Sequence, residues 1–220
     1  MSLLLLFKDE LKGFYRSNVM LFLWVGLPLI SLLMRLWSPD TGDEIPFSLL
    51  TALLVSSIGG TLAAVMLAVS IINEKNRRVY DLFLIRPIRR RDMLMAKFFA
   101  VYLCLVGASL LAMGLGQGID YFTNDMPLEQ ITQNSWESLA VSLSMMAIAS
   151  SVGILIGVIS PSVLVGAILV IYGGNQISAL PILPTMLGVS EPLIFTAVLG
   201  AILTAVFLSL SFILFERKQF

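Results

Sequence analysis

The sequence predicts an all-α integral membrane protein with six transmembrane helices, and three observations lead there. Hydrophobic residues make up 58% of the 220 residues and charged residues only 13%, where a soluble domain carries about 25% charged residues. Six apolar stretches, near 18–37, 47–72, 98–119, 138–160, 163–180 and 193–215, approach the roughly 20 residues that a helix needs to cross a bilayer. The basic residues also segregate between alternate loops, as they do in helical membrane proteins. A mean hydropathy of +0.94 agrees. The six stretches leave no room for a soluble domain, so 1–220 reads as a single transmembrane domain.

Before the first stretch, residues 1–17 are amphipathic. Leu4, Phe7, Leu11 and Phe14 share one helical face, and Lys8, Lys12 and Arg16 recur on another. Such a helix lies in the interface with its basic side chains toward lipid headgroups. It serves either as an elbow that helps hold a cytoplasmic partner or as a plain membrane anchor. The apolar start precedes the charges, is short and lacks a small-residue cleavage site, so it is expected to be retained rather than removed as a signal peptide. The second stretch is long enough to tilt or to extend beyond the membrane. In the fifth, Gly173-Gly174-Asn175-Gln176 interrupts the apolar run, and Pro181, Pro184, Gly188 and Pro192 follow. A broken or re-entrant segment between spans five and six is the expectation, since irregular backbone is tolerated at membrane depth where protein or water satisfies it.

Orientation follows from charge. Lys8, Lys12 and Arg16 precede span one. Lys75, Arg77, Arg78, Arg86, Arg89, Arg90, Arg91 and Lys97 lie between spans two and three, and Arg217 and Lys218 follow span six. With six spans these segments share one face, leaving only Arg35 near the other. The opposite loops hold Asp40, Asp43, Glu44, Asp120, Asp125, Glu129, Glu137 and Glu191. Both termini are therefore expected in the cytoplasm, the membrane being the inner (plasma) membrane of a bacterium.

Several functions are disfavoured. Fourteen Lys and Arg balance fourteen Asp and Glu, which gives no basic excess for nucleic acid. There is no histidine, and Cys104 is the single cysteine, so no metal site or disulfide is expected. Neither a P-loop nor a nucleophile elbow occurs. No acidic residue falls within the middle of a span, which disfavours an intramembrane carboxylate protease and weakens the case for a proton-driven carrier. Arg35 either snorkels to the interface or meets an anionic substrate. Asn175 and Gln176 either hydrogen-bond between helices or line a translocation path. Small residues recur every fourth position at Ser56, Gly60, Ala64 and Ala68, at Ala108, Ala112 and Gly116, and at Ala149, Gly153 and Gly157. Packing within the bundle is the preferred reading over a dimer interface.

The loop at 73–97 carries most of the functional information. Val79 to Ile85 suits about two helical turns before Pro87 stops them. Val79 and Phe83 fall at i, i+4, with Asp81 and Arg86 flanking, and Asp92 is placed to cap the start of span three. Its charge is that of any positive-inside loop. The patch Tyr80-Asp81-Leu82-Phe83-Leu84 is not, and suits insertion into a partner's groove.

In that loop Glu74, Asp81, Leu82, Leu84, Pro87, Arg89 to Arg91 and Lys97 follow in order a pattern that resembles the membrane subunits of ATP-binding-cassette exporters of the type-2 permease superfamily. Arg78-Val79 replaces the usual Gly-Thr, and Ala96 stands where Gly precedes the lysine. Length and layout are also similar to the membrane subunit of the haem-export system of cytochrome c maturation, without a haem motif. The resemblance implies a permease subunit that pairs with a second copy or a paralogous permease, in membrane lipid, above two cytoplasmic ATPase subunits that hold the ATP and Mg. It implies no cofactor and no enzyme activity on this chain. It makes 73–97 the coupling loop, with Glu74, Val79, Tyr80, Asp81, Phe83, Arg86 and Pro87 engaging the ATPase. The alternatives are a scaffold subunit that moves nothing and a carrier that works without ATP. The transported substrate stays open.

Overall fold

The computed structural model describes residues 3–15, 17–37, 47–77, 90–123, 128–186 and 192–217. Every regular element among them is helical. Helix α1 spans Leu3–Tyr15, α2 Asn18–Trp37, α3 Phe47–Asn76, α4 Arg90–Thr123 and α5 Leu128–Ile159. Next come α6, Val163–Leu169, a π-helical turn at Val170–Gly174, α7 at Asn175–Ser178, a 3-10 turn at Leu180–Ile182 and α8 at Leu183–Met186. Helix α9 spans Pro192–Arg217.

Among the described residues five segments are long and apolar enough to cross a membrane: Leu53–Asn76, Arg91–Leu115, Trp136–Ile159, Val163–Ile182 and Leu193–Arg217. The first two helices pass the same test only together, with a 67° bend between them. Ser17 makes that bend. Its backbone N–H donates to Phe14 O at 3.0 Å, and its own carbonyl and hydroxyl accept from Met20 N at 3.1 and 3.3 Å. A serine ahead of a helix supplies the acceptor that the first turn lacks. The elements thus separate where the sequence changes from amphipathic to uniformly apolar.

The interior belongs to α5, of whose membrane window 67% is buried, against 22% for the α6–α7 segment and for α9. Small residues explain the close approach of α3 and α5. A Cβ added at Gly153 would lie 2.6 Å from the carbonyl oxygen of Ala64 and 2.7 Å from its Cα. At Gly157 it would meet Ala68 Cα at 3.0 Å, and at Gly60 the Ala149 Cβ at 3.2 Å. Backbones meet this closely only where side chains are small, and lipid supplies no hydrophobic drive to replace the packing. The four-residue stripes of spans two and four therefore face each other, as within-bundle packing requires. In α4, Ala108 and Ala112 are buried as well.

Three expectations are corrected. The loop expected at 73–97 is shorter: α3 continues to Asn76, with Arg77 N donating to Asn73 O at 3.0 Å, and α4 already includes Arg90 to Lys97. Asp92 consequently lies inside the first turn of α4, where a carboxylate suits the helix dipole, rather than ahead of the helix as a cap. The break expected at Gly173–Gln176 is a change of winding: the chain passes from α to π at Val170–Gly174 and back to α at Asn175. Pro161 accounts for the corner before α6, since proline cannot continue α5. Ser162 caps the new helix, accepting from Val165 N at 3.4 Å.

Candidate functional site

Among the described residues, charged contacts concentrate at one end of the bundle, where α1, the C-terminal end of α3 and the start of α4 meet. Lys97 lies in the run Leu94-Met95-Ala96-Lys97-Phe98-Phe99 and is only 2% exposed. An ammonium in such surroundings needs partners, because burial of an unpaired charge is prohibitive. It has three. Its Nζ lies 2.6 Å from Glu74 Oε1 and 2.9 Å from Glu10 Oε1, and donates to Ser70 Oγ at 3.3 Å. Ser70 Oγ in turn donates to Glu74 Oε1 at 3.3 Å. Ser70 and Glu74 are one helical turn apart on α3, so they face Lys97 together. The ring of Phe14 lies 5.9 Å from the ammonium, within cation–π range.

Two other contacts close the same end. Arg91 at the start of α4 makes a two-pronged bond to Glu216 at the end of α9, at 2.6 and 2.9 Å. Lys75 Nζ donates to the carbonyl of Ser160, at the end of α5, at 3.4 Å. The ends of α3, α5 and α9, the start of α4, and α1 are therefore gathered at one pole. Of the basic segments read from the sequence, Lys8, Lys12, Lys75, Arg77, Arg90, Arg91, Lys97 and Arg217 lie on elements tied together there.

Glu74, expected to engage an ATPase, is paired with Lys97 within the chain and stays partly exposed. Val79, Tyr80, Asp81, Phe83, Arg86 and Pro87 lie outside the described residues, as does Arg16. Lys8 and Lys12 are exposed on α1, whose other face buries Phe14 and packs Leu6, Phe7 and Leu11 on the core. Leu4, expected on that apolar face, is exposed. Asn175 is half-buried and Gln176 exposed, both in α7 immediately after the π turn. Arg35 lies in α2 near its end, and its side chain is outside the described set. Asn175 and Gln176 do not line the recess at the Lys97 cluster. Glu10, Ser70 and Glu216 escaped the sequence reading. The signal for a missing partner was Lys97 itself, a single charge in an apolar helical run.

Among the recesses that the described residues line, two are notable for their position. One, of about 560 Å³, lies between α4, α5 and α9; Tyr102, Trp136, Leu143, Gly200 and Thr204 are among its lining residues. The other, of about 510 Å³, lies between α1 and α3 and ends at the Lys97 cluster. Among the described residues no three His, Cys, Asp or Glu side chains converge as a metal site would require.

A helical bundle with several segments long and apolar enough to span a membrane defines an integral membrane protein. Residues 6–175 match the family described as ABC-2 family transporter protein, and the chain belongs to that family. It is a permease, the membrane component of an ABC transporter. The match begins in α1 and runs through the π turn, and α9 follows it in the chain. No curated protein matches the chain.

Proposed function

We propose that this chain is the transmembrane subunit of an ATP-binding-cassette exporter, forming the translocation path as a dimer and coupled to separate ATPase subunits. The observation that carries the reading is the Lys97 cluster in a chain of this family. It joins α1, α3 and α4 at the two helix ends from which the segment 78–89 emerges. A force applied to that segment by a partner reaches both helices and α1 together, since the three share one buried ammonium. Packed elements joined in this way can convert a local push into a change of bundle shape.

In this reading α2 is span one, which brings the number of spans to six, and α1 is the interfacial elbow. The pole with the Lys97 cluster faces the cytoplasm, which the concentration of Lys and Arg on its elements supports. The dimer partner is a second copy or a paralogous permease. ATP and Mg reside on the ATPase, and this chain supplies the path and the lever. The short helix expected around Val79 to Arg86 is the contact with the ATPase, through Tyr80, Asp81 and Phe83 ahead of Pro87. The test is recovery of the ATPase with tagged Asp81→Arg or Phe83→Ala chains from detergent-solubilised membranes. At equal membrane insertion, the reading expects recovery to fall at least tenfold. Unchanged recovery for both variants would remove the coupling assignment.

A further inference from the structure

The span formed by α6, the π turn and α7 carries polar groups where lipid offers them nothing. Only 22% of its window, Val163–Ile182, is buried. Gly166, Val170, Gly174 and Ser178 form its buried line, each four residues after the last. On an α-helix such a line drifts about 40° per step. The wider winding at Val170–Gly174 takes up part of that drift and keeps the line against the bundle. Tyr172 and Gln176 lie two positions off the line, about 200° around the helix. Both are exposed, Tyr172 to 76%, and among the described residues neither side chain has a hydrogen-bond partner.

Depth makes this costly. At 1.5 Å per residue, Tyr172 lies about 14 Å and Gln176 about 20 Å into a window roughly 30 Å long. Tyrosine collects at the two membrane interfaces, where its hydroxyl meets water. A carboxamide facing hydrocarbon finds nothing to bond. The other outward-facing span differs. The window of α9 is equally little buried, but its large exposed side chains between Leu193 and Ile213, Phe195, Val198, Ile202 and Val206 among them, are apolar. Lipid covers those without loss.

The polar groups select the occupant. A two-fold interface is isologous, so a residue near the axis meets its own copy. The group there must pair with itself. A carboxamide donates and accepts, and so does a phenol, whereas a charged group would repel its copy. Two copies of Gln176 can close a reciprocal pair of N–H···O bonds, and each then has the partner that lipid withholds.

We propose that Tyr172 and Gln176 mark the face on which two copies of this chain meet within the membrane. The inference rests on the dimer of the reading above and assigns it a surface, the outward side of α6 and α7 rather than that of α9. It requires no ATPase.

Cysteine cross-linking of the full chain in its native membranes tests this. Gly173 takes the reporter, because a Cβ there would meet no atom within 4 Å and Gln176 stays intact. Ile202→Cys, on the exposed face of α9, is the comparison, and the parent is the blank, since its Cys104 is buried. A disulfide joins only Cα atoms within about 7 Å. With a membrane-permeant oxidant, Gly173→Cys is expected to give at least tenfold more linked dimer than Ile202→Cys. Adding Gln176→Leu should slow linking about three- to tenfold, the usual weight of interhelical hydrogen bonds in lipid. Equal linking at the two positions would mean random collision and overturn the proposal, as would linking that Gln176→Leu leaves unchanged. Linked dimer at Gly173 without a recoverable ATPase would uphold this face while removing the exporter reading. No linked dimer at Gly173 in chains that do recover an ATPase would overturn this face alone.

Discussion

Among the described residues a buried ion cluster and an exposed ion pair close the same pole of the bundle and differ in what they can hold. Lys97 is 2% exposed and shares two carboxylates and a hydroxyl, joining α1, α3 and α4. Arg91 and Glu216 make a bond of equally good geometry between α4 and α9, yet their side chains are 57% and 46% exposed. In water an ion pair gains little over two hydrated ions. In the interior, removing one partner strands a charge that water can no longer reach. Distance alone does not rank the two, and burial does. The buried contacts lie wholly within the family's matched region, whereas the exposed pair reaches α9, which lies beyond that match.

The comparison is broken most severely at Lys97. Lys97→Met should cost about 3 kcal/mol, the low end of the range for stranding buried charge, because Glu10 and Glu74 keep some solvent contact. Thermal unfolding of the purified chain in detergent measures it. Adding Glu10→Leu and Glu74→Leu should recover most of the loss, since an apolar replacement of a whole buried ion cluster is often neutral or better. A single variant that melts like the parent would show that the cluster is open to water.

Next in size is the seam between α3 and α5. Gly153→Ala should destabilise by about 1–3 kcal/mol through overpacking, as its Cβ would lie against the Ala64 backbone. Gly114→Ala sharpens the contrast. No atom lies within 4 Å of a Cβ there, so the change should be neutral or stabilise by up to about 1 kcal/mol through helix propensity. Equal effects at the two glycines would refute the close α3–α5 approach.

The smallest effect is expected at Arg91→Ala, which should leave the melting temperature within error at moderate salt. A large loss there would mean that the α4–α9 contact is buried in the working protein, against a partner or lipid.

The sequence carried the small-residue stripes plainly. Ser56, Gly60, Ala64 and Ala68 recur at the helical period, and so do Ala149, Gly153 and Gly157. Which stripe faces which is a tertiary property that the period does not contain. Lys97 was visible as an element of the family pattern, but its partners lie 23 and 87 residues away, and no local rule links them. Glu10 looked like one more polar residue on an amphipathic helix. Gly173-Gly174 read as a break because glycine usually punctuates. Here Val170 and Gly174 are buried, with Val152 of α5 beside Gly174, and the neighbouring helix holds the segment in a π turn. The loop expected at 73–97 was overestimated at both ends, because charged residues continue the helices to Asn76 and from Arg90 without ending them.

Whether the joined pole serves an ATPase is the central claim, and one measurement addresses it most directly. The tagged chain is recovered from its native membranes in mild detergent, and the associated ATP hydrolysis is assayed for the parent and for Lys97→Met. The account predicts a nucleotide-hydrolysing subunit in a two-to-two complex, with ATPase recovery or activity reduced in the variant. A chain that emerges alone, or with no nucleotide-binding partner, would contradict it.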